Sequence, residues 1–188
     1  MKLNDLILNT SPKFRTDKGT RHSYTDYYDT IFHEYRTKQI NILEVGIYHG
    51  SSLYLWDNYF LHKDTKIVGL DIRDNIYTDL KNKYSNKVSY VTGKNYYIEE
   101  NIPEEIKNTK WDIIIDDGSH ELQHQLDFYS IYEKLLKEDG ILIIEDIQSI
   151  ENLNTITKTY PELTQIDLRK NKNRYDDLLA VLIKNKNE

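Results

Sequence analysis

The sequence predicts an α/β domain: an open, mostly parallel sheet of seven strands, helices on both faces, and an antiparallel hairpin at the end. Three observations predict it. Four short Ile/Val/Leu-rich runs, "INILEVG" (40–46), "KIVGLDI" (66–72), "WDIIIDD" (111–117) and "GILIIEDI" (140–147), read as strands buried on both faces. Helix-like stretches separate them, and that alternation belongs to a parallel sheet crossed by helices. The rhythm then breaks, because "ELTQIDLR" and "DLLAVLIK" are joined by the polar "KNKNRYD" at hairpin spacing.

Residues 1–39 precede the first strand and form an N-terminal cap segment, expected to be helical and to lie over the sheet edge or the site. The domain proper covers 40–188, and the length fits one domain overall, at about 100–200 residues per domain. Helices are expected at 51–61, 75–84, 97–108, 121–137 and 149–159, with a weaker strand, "KVSYVTG", at 87–93. Within 121–137, Leu122, Leu126, Tyr129, Tyr132, Leu135 and Leu136 fall on one helical face.

Composition narrows the function. The net charge is −6 and no basic block stands out, so nucleic acid is not the expected partner. The chain has no cysteine, which excludes disulfides, thiolate metal sites and a Cys nucleophile. No apolar run approaches the ~20 residues that span a bilayer, and "MKLNDLILNTSPKF" lacks the apolar core of a signal peptide. A soluble, cytoplasmic protein without a membrane partner is expected.

In open α/β sheets, ligands sit at the carboxyl ends of the strands, so the residues just after each strand carry the information. After the first strand, Gly46 and Gly50 bound a short turn in which the backbone can approach a ligand closely. Their G-x-x-x-G spacing is neither the G-x-G-x-x-G of a dinucleotide site nor a P-loop. Glu44, at the end of that strand, can accept hydrogen bonds from a cationic amine. Asp71 ends the second strand at about the distance, ~20 residues on, of an acid that bonds a ribose diol. An acid for an amine, glycines for close approach and an acid for a ribose describe S-adenosylmethionine better than a dinucleotide. The alternative is a plain strand–helix turn with Asp71 as a cap.

The fourth and fifth strands end in Asp116 and Asp117, and in Glu145 and Asp146. Neighbouring strands lie ~5 Å apart, so up to four carboxylates would share one crevice. Like charges raise each other's pKa, and either protons or a cation must settle the cluster. Oxygen donors without cysteine favour a hard ion such as Mg²⁺. His120, at the start of the 121–137 helix, is expected to stay neutral there and to take a proton from a hydroxyl group. Helix capping by the acids and by His120 is the competing explanation.

The segments "ILEVGIYHGSS", "GLDI", "WDIIIDDGSH" and "ILIIEDIQ" resemble the Rossmann-like class I S-adenosylmethionine-dependent methyltransferases. More narrowly they resemble the metal-dependent sugar O-methyltransferases, the group of the macrocin, mycinamicin and viral rhamnose methyltransferases. "TDKGTRHSYTDYY" (16–28) is similar to the segment that precedes the fold in that group. The resemblance implies Asp117, Glu145 and Asp146 as Mg²⁺ ligands and His120 as the catalytic base. It implies Glu44, Gly46, Gly50 and Ser51 at the methionine end of S-adenosylmethionine, Asp71 at the ribose, and Asp116 among the cofactor-binding residues. Thr20, His22, Tyr24 and Tyr28 would close over the cofactor. Where the group often carries an acid near the adenine, this chain has Lys94, and Asn95 becomes the candidate contact. The implied activity is Mg²⁺-assisted O-methylation of a sugar or glycan hydroxyl, with a small-molecule or glycan acceptor and a homo-oligomer as the assembly to test. The alternatives are a catechol-like aromatic diol as acceptor, or a non-catalytic S-adenosylmethionine-binding protein.

Overall fold

The computed structural model describes residues 1–184, so the last four residues of the expected 40–188 domain lie outside the described residues. Among the described residues, seven strands form one sheet: β1 (Asn41–Val45), β2 (Lys66–Asp71), β3 (Val88–Thr92), β4 (Trp111–Asp116), β5 (Leu136–Ile144), β6 (Thr164–Asp167) and β7 (Leu178–Ile183). Their order across the sheet is β3-β2-β1-β4-β5-β7-β6. The first five are mutually parallel, and β7 runs antiparallel to both β5 and β6. The expected strands and the terminal hairpin are therefore all present.

Alternate residues of each central strand feed two separate cores. Leu43, Val45, Val68, Leu70, Ile114, Leu142 and Ile144 face helices α7 (Leu122–Tyr132) and α8 (Ile150–Thr159) through Phe128, Tyr132, Leu153 and Ile156. Ile42, Ile67, Ile113, Ile115, Ile141 and Ile143 face the other way. There they meet α1 (Leu3–Asn9), α3 (Tyr24–Phe32) and α4 (Ser51–Tyr59) through Leu3, Ile7, Tyr28, Phe32 and Trp56. The N-terminal segment thus covers a face of the sheet, not its edge. A short helix within it, α2 (Asp17–Thr20), reaches the carboxyl ends of the strands.

Three helices are shorter than the periodicity predicts. The 75–84 stretch keeps one turn, α5 (Thr78–Lys81), of which only Leu80 is buried. The 97–108 stretch keeps α6 (Glu104–Lys107) behind Pro103, which holds the preceding Ile102 extended. The 121–137 helix ends at Tyr132, and Leu136 already opens β5. No helix among the described residues is long and apolar enough to cross a membrane.

The site is set by register. Val45 pairs with Leu70 and with Asp116, and Asp116 pairs with Ile144. The ladder continues one bond beyond the strands: Gly46 N–H donates to Leu70 at 2.8 Å, Asp117 N–H to Val45 at 2.8 Å, and Glu145 N–H to Asp116 at 2.9 Å. Gly46, Asp117 and Glu145 therefore leave the sheet level with one another.

Candidate active site

A cleft of about 650 Å³ opens at this edge, where β1 and β4 adjoin and the strand order reverses direction. Its glycine turn is geometrically required. Gly46 has φ +89°, and a Cβ there would stand 2.1 Å from the Asp117 carbonyl oxygen. Asp71 closes the turn from β2: one carboxylate oxygen accepts from the N–H groups of Ile47 (2.9 Å) and Tyr48 (2.7 Å), the other from Arg73 N–H (2.8 Å). Asp71 thus organises the backbone of the turn and still borders the cleft.

The acids after β4 and β5 divide into two groups. Asp117, His120 and Asp146 converge, each offering an atom within 4.8 Å of the others. His120 Nε2 lies 3.4 Å from Asp117 Oδ1 and 3.7 Å from Asp146 Oδ2. Glu145 turns inward instead. Its oxygens meet the Lys18 ammonium at 2.7 and 2.8 Å, and the Tyr28 hydroxyl donates to it at 2.6 Å. The expected trio of metal ligands is therefore split, with Asp117 and Asp146 facing the cleft and Glu145 beneath it.

Lys18 is the residue that sequence reasoning missed. It is 1% exposed, and its Nζ lies 2.7 Å from Asp117 Oδ2, 2.7 Å from Glu145 Oε2 and 3.2 Å from Glu44 Oε1. Burial opposes its charge, but three carboxylates outweigh that, and its pKa sits well above the usual lysine value. The signal was present: the cluster demanded a cation, and "TDKGT" supplies one. The other oxygen of Glu44 accepts from the Trp56 indole N–H at 3.1 Å, so Glu44 is a buried partner of Lys18 and Trp56, away from the cleft surface.

The N-terminal residues separate in the same way. Thr20 borders the cleft, whereas His22, Tyr24 and Tyr28 lie buried behind the acids. The Tyr24 hydroxyl donates to Asp146 Oδ1, and His22 Nδ1 stands 2.7 Å from Asp177 and 3.3 Å from Asp146. Ser51 and Asn95 border the cleft, while Gly50 faces the Tyr84 hydroxyl. Asp116 is buried, and one oxygen accepts from the Tyr97 hydroxyl at 2.6 Å. Burial pushes its carboxyl up to about 7 against that hydrogen bond. Of the four non-glycine residues with positive φ among the described residues, three lie here: Tyr48, His120 and Asp146. Such backbone costs of order 1–3 kcal/mol per residue and tends to gather at functional sites.

The electrostatics of His120 differ from the sequence-based expectation. Helix α7 begins at Leu122, and His120 precedes its cap residue Glu121 with φ +59°. Burial lowers its pKa, but Asp117, Asp146 and Asp116 outweigh burial and raise it to about 9. Carboxylates, not the helix terminus, decide its charge. Asp117 is the counterpart: burial would raise it, yet Lys18 and His120 hold it at about 2. Burial and Asp117 push Asp146 up to about 6. A pH dependence follows. The folded state keeps a proton on His120 that the unfolded chain releases near 6.5, so this contribution is complete below pH 6.5 and is lost as pH rises towards 9. With chelator present, stability is expected to fall across that window by at most about 1.4 kcal/mol per pH unit, read as a declining melting temperature. His120→Gln should flatten the decline, and an unchanged profile would contradict the assignment.

The residues fit both groups that the fold implies. Asp117 Oδ1 and Asp146 Oδ2 converge on the cleft as oxygen donors, and Mg²⁺ commonly needs only one or two carboxylates beside waters and substrate oxygens. For a nucleoside-bearing cofactor there is the glycine turn, and the buried Tyr96 hydroxyl at the cleft has no hydrogen-bond partner among the described residues.

Residues 43–147 match the family model described as a methyltransferase domain. The chain is 30% identical over 159 residues to demethylmacrocin O-methyltransferase of Streptomyces fradiae, covering 77% of this chain and 36% of that protein. It is 29% identical over 144 residues to mycinamicin VI 2''-O-methyltransferase of Micromonospora griseorubida, covering 73% and 33%. The chain thus spans about a third of the length of these curated relatives. The solved MycE methyltransferase from the mycinamycin pathway, in complex with Mg, SAH and mycinamycin VI, is 26% identical with a TM-score of 0.65, over 86% of this chain and 41% of that one. An O-methyltransferase from Bacillus cereus in complex with SAH shares the fold, with a TM-score of 0.63 at 16% identity over 97% of this chain and 90% of that one. Since the family model covers more than half of the 188 residues and ends just beyond the Glu145–Asp146 pair, the chain belongs to the methyltransferase domain family.

Proposed function

We propose that this chain transfers a methyl group from S-adenosylmethionine to a hydroxyl of a sugar or glycan, assisted by Mg²⁺. The observation that carries the reading is the convergence of Asp117, Asp146 and His120 within 4.8 Å, in a cleft that begins at the glycine turn. Two further relatives are named as O-methyltransferases of a rhamnosyl tetracenomycin and of an olivosyl oleandolide, which supports a sugar as acceptor.

In this reading Thr20, Gly46, Ser51, Asp71 and Asn95 border the cofactor. Glu44, Gly50, Asp116, His22, Tyr24 and Tyr28 support it from behind. Asp117 and Asp146 would hold Mg²⁺, which supplies the positive charge that lowers the pKa of an acceptor hydroxyl. His120 accepts the hydroxyl proton at Nε2. The oxygen attacks the methyl carbon, the carbon–sulfur bond breaks, and the neutral thioether leaves. The sulfonium is already a good leaving group, so the protein contributes alignment and a deprotonated nucleophile. A cytoplasmic setting and a homo-oligomer belong to the same proposal, the latter checked by analytical ultracentrifugation.

Calorimetric titration with S-adenosylmethionine, followed by methyl transfer to a glycoside with vicinal hydroxyls, tests the reading. Binding of the cofactor and loss of turnover in excess chelator are expected. Turnover that survives chelation would remove the ion from the mechanism. Preference for a catechol over the glycoside would move the acceptor to aromatic diols, and failure to bind S-adenosylmethionine would defeat the proposal.

A further inference from the structure

We propose that Lys18 is the site's built-in cation, a positioning residue that takes up Glu44 and Glu145 and leaves Asp117 and Asp146 as the carboxylates that receive a divalent ion. The inference rests on the ion-assisted reading above and specifies its ligand set. A Lys ammonium carries three donors. Here they are spent on Asp117 Oδ2 at 2.7 Å and on the two Glu145 oxygens at 2.8 and 2.7 Å, with Glu44 Oε1 an ion-pair neighbour at 3.2 Å, in a place where Lys18 is 1% exposed. Both Glu145 oxygens are spent on Lys18, one of them also on Tyr28, and the Glu145 carbonyl accepts from Gln125 at 3.0 Å. Reaching the cleft would require Glu145 to break these bonds and leave a buried ammonium short of partners, which is strongly unfavourable. Asp117 is shared: Oδ2 is anchored by Lys18, and the same anchor leaves Oδ1 beside His120. Asp146 is held from the far side by Tyr24 and His22. The N-terminal segment is thus part of the active site through a charge it carries into it.

The test uses Mn²⁺ as probe, its affinity read by electron paramagnetic resonance of the free ion. Lys18→Met removes a positive charge next to the ion site. Relief of the Coulomb repulsion between the ammonium and the ion, at an effective dielectric of about 20, then predicts Mn²⁺ binding at least tenfold tighter. Lys18→Met with Glu145→Gln removes the pair together and is expected to keep affinity within about threefold of the parent, because Glu145 is not a ligand. Unchanged or weaker binding in the single variant, or a tenfold loss in the double variant, overturns the proposal. Thermal melts give an independent readout. The single variant should melt roughly 10 °C lower, because one partner of a buried ion pair is left uncompensated, and the double should recover at least half of that. Absence of recovery also overturns it. A parent protein that binds no Mn²⁺ would instead defeat the ion-assisted reading, with the pairing of Lys18 and Glu145 still judged by the melts.

Discussion

His120→Ala is expected to lower methyl transfer by roughly 10²–10⁴ while S-adenosylmethionine binding survives, the usual contribution of a positioned base. The imidazole borders the cleft and stands between the two cleft-facing acids, 3.4 Å from Asp117 and 3.7 Å from Asp146. Its side chain is 31% exposed, so truncation leaves no buried cavity and the fold should hold. The glycine turn and Asp71 are untouched by the change, which is why cofactor affinity should persist. Carboxylates raise His120 to about 9, and a bound cation between the same acids works in the opposite direction by cancelling their charge. The rate of the parent enzyme should therefore rise with pH until His120 is neutral, and the inflection should move to lower pH as the metal concentration rises. Full turnover in the alanine variant would assign proton removal to solvent.

The second large effect is structural. Gly46→Ala should destabilise the chain by about 3 kcal/mol or more and abolish cofactor binding. The added Cβ would fall 2.1 Å from the Asp117 carbonyl oxygen and 2.3 Å from Gly118 Cα. Neither is free to move, because Asp117 N–H is bonded to Val45 and Gly46 N–H to Leu70 in the extended ladder. Relief would have to push the end of β4, and Asp117 with it, away from the turn. A melting temperature lower by roughly 10 °C and the absence of a calorimetric signal with S-adenosylmethionine are the expected readings. Gly93→Ala is the control. Gly93 has φ +96°, but none of the described residues comes within 4 Å of where an added methyl would sit. The substitution there brings backbone strain without collision and should cost far less. Equal losses at both positions would show that left-handed backbone, not the crossing of the two strand ends, is what Gly46 provides.

Much of this was legible in residue order. The four buried strands announce themselves because each faces apolar helices on both sides, which demands continuous Ile, Val and Leu. The edge strand β3 alternates between half-buried and exposed residues and β6 is mostly exposed, and their runs are accordingly weaker. Helix lengths were less legible, since Pro103 and the entry of Leu136 into β5 override a helical period that continues past them. In the site, Gly46, Asp71, Asp117, His120 and Asp146 could be named because a parallel sheet delivers whatever follows its strands to one edge.

Local pattern by itself determined the sheet, its hairpin and which residues crowd its carboxyl edge, because burial and turn geometry act over a few neighbouring residues. The tertiary structure alone decided how that crowd is shared out. Lys18 meets Asp117 and Glu145 across 99 and 127 residues of chain, and that contact sends Glu145 inward and leaves Asp117 and Asp146 to the cleft. The charge on His120 was decided in the same way. Its carboxylate neighbours come from two strands, and their field exceeds that of the helix terminus beside it in sequence. Coulomb interactions depend on distance in space, which residue order does not specify until the chain has folded.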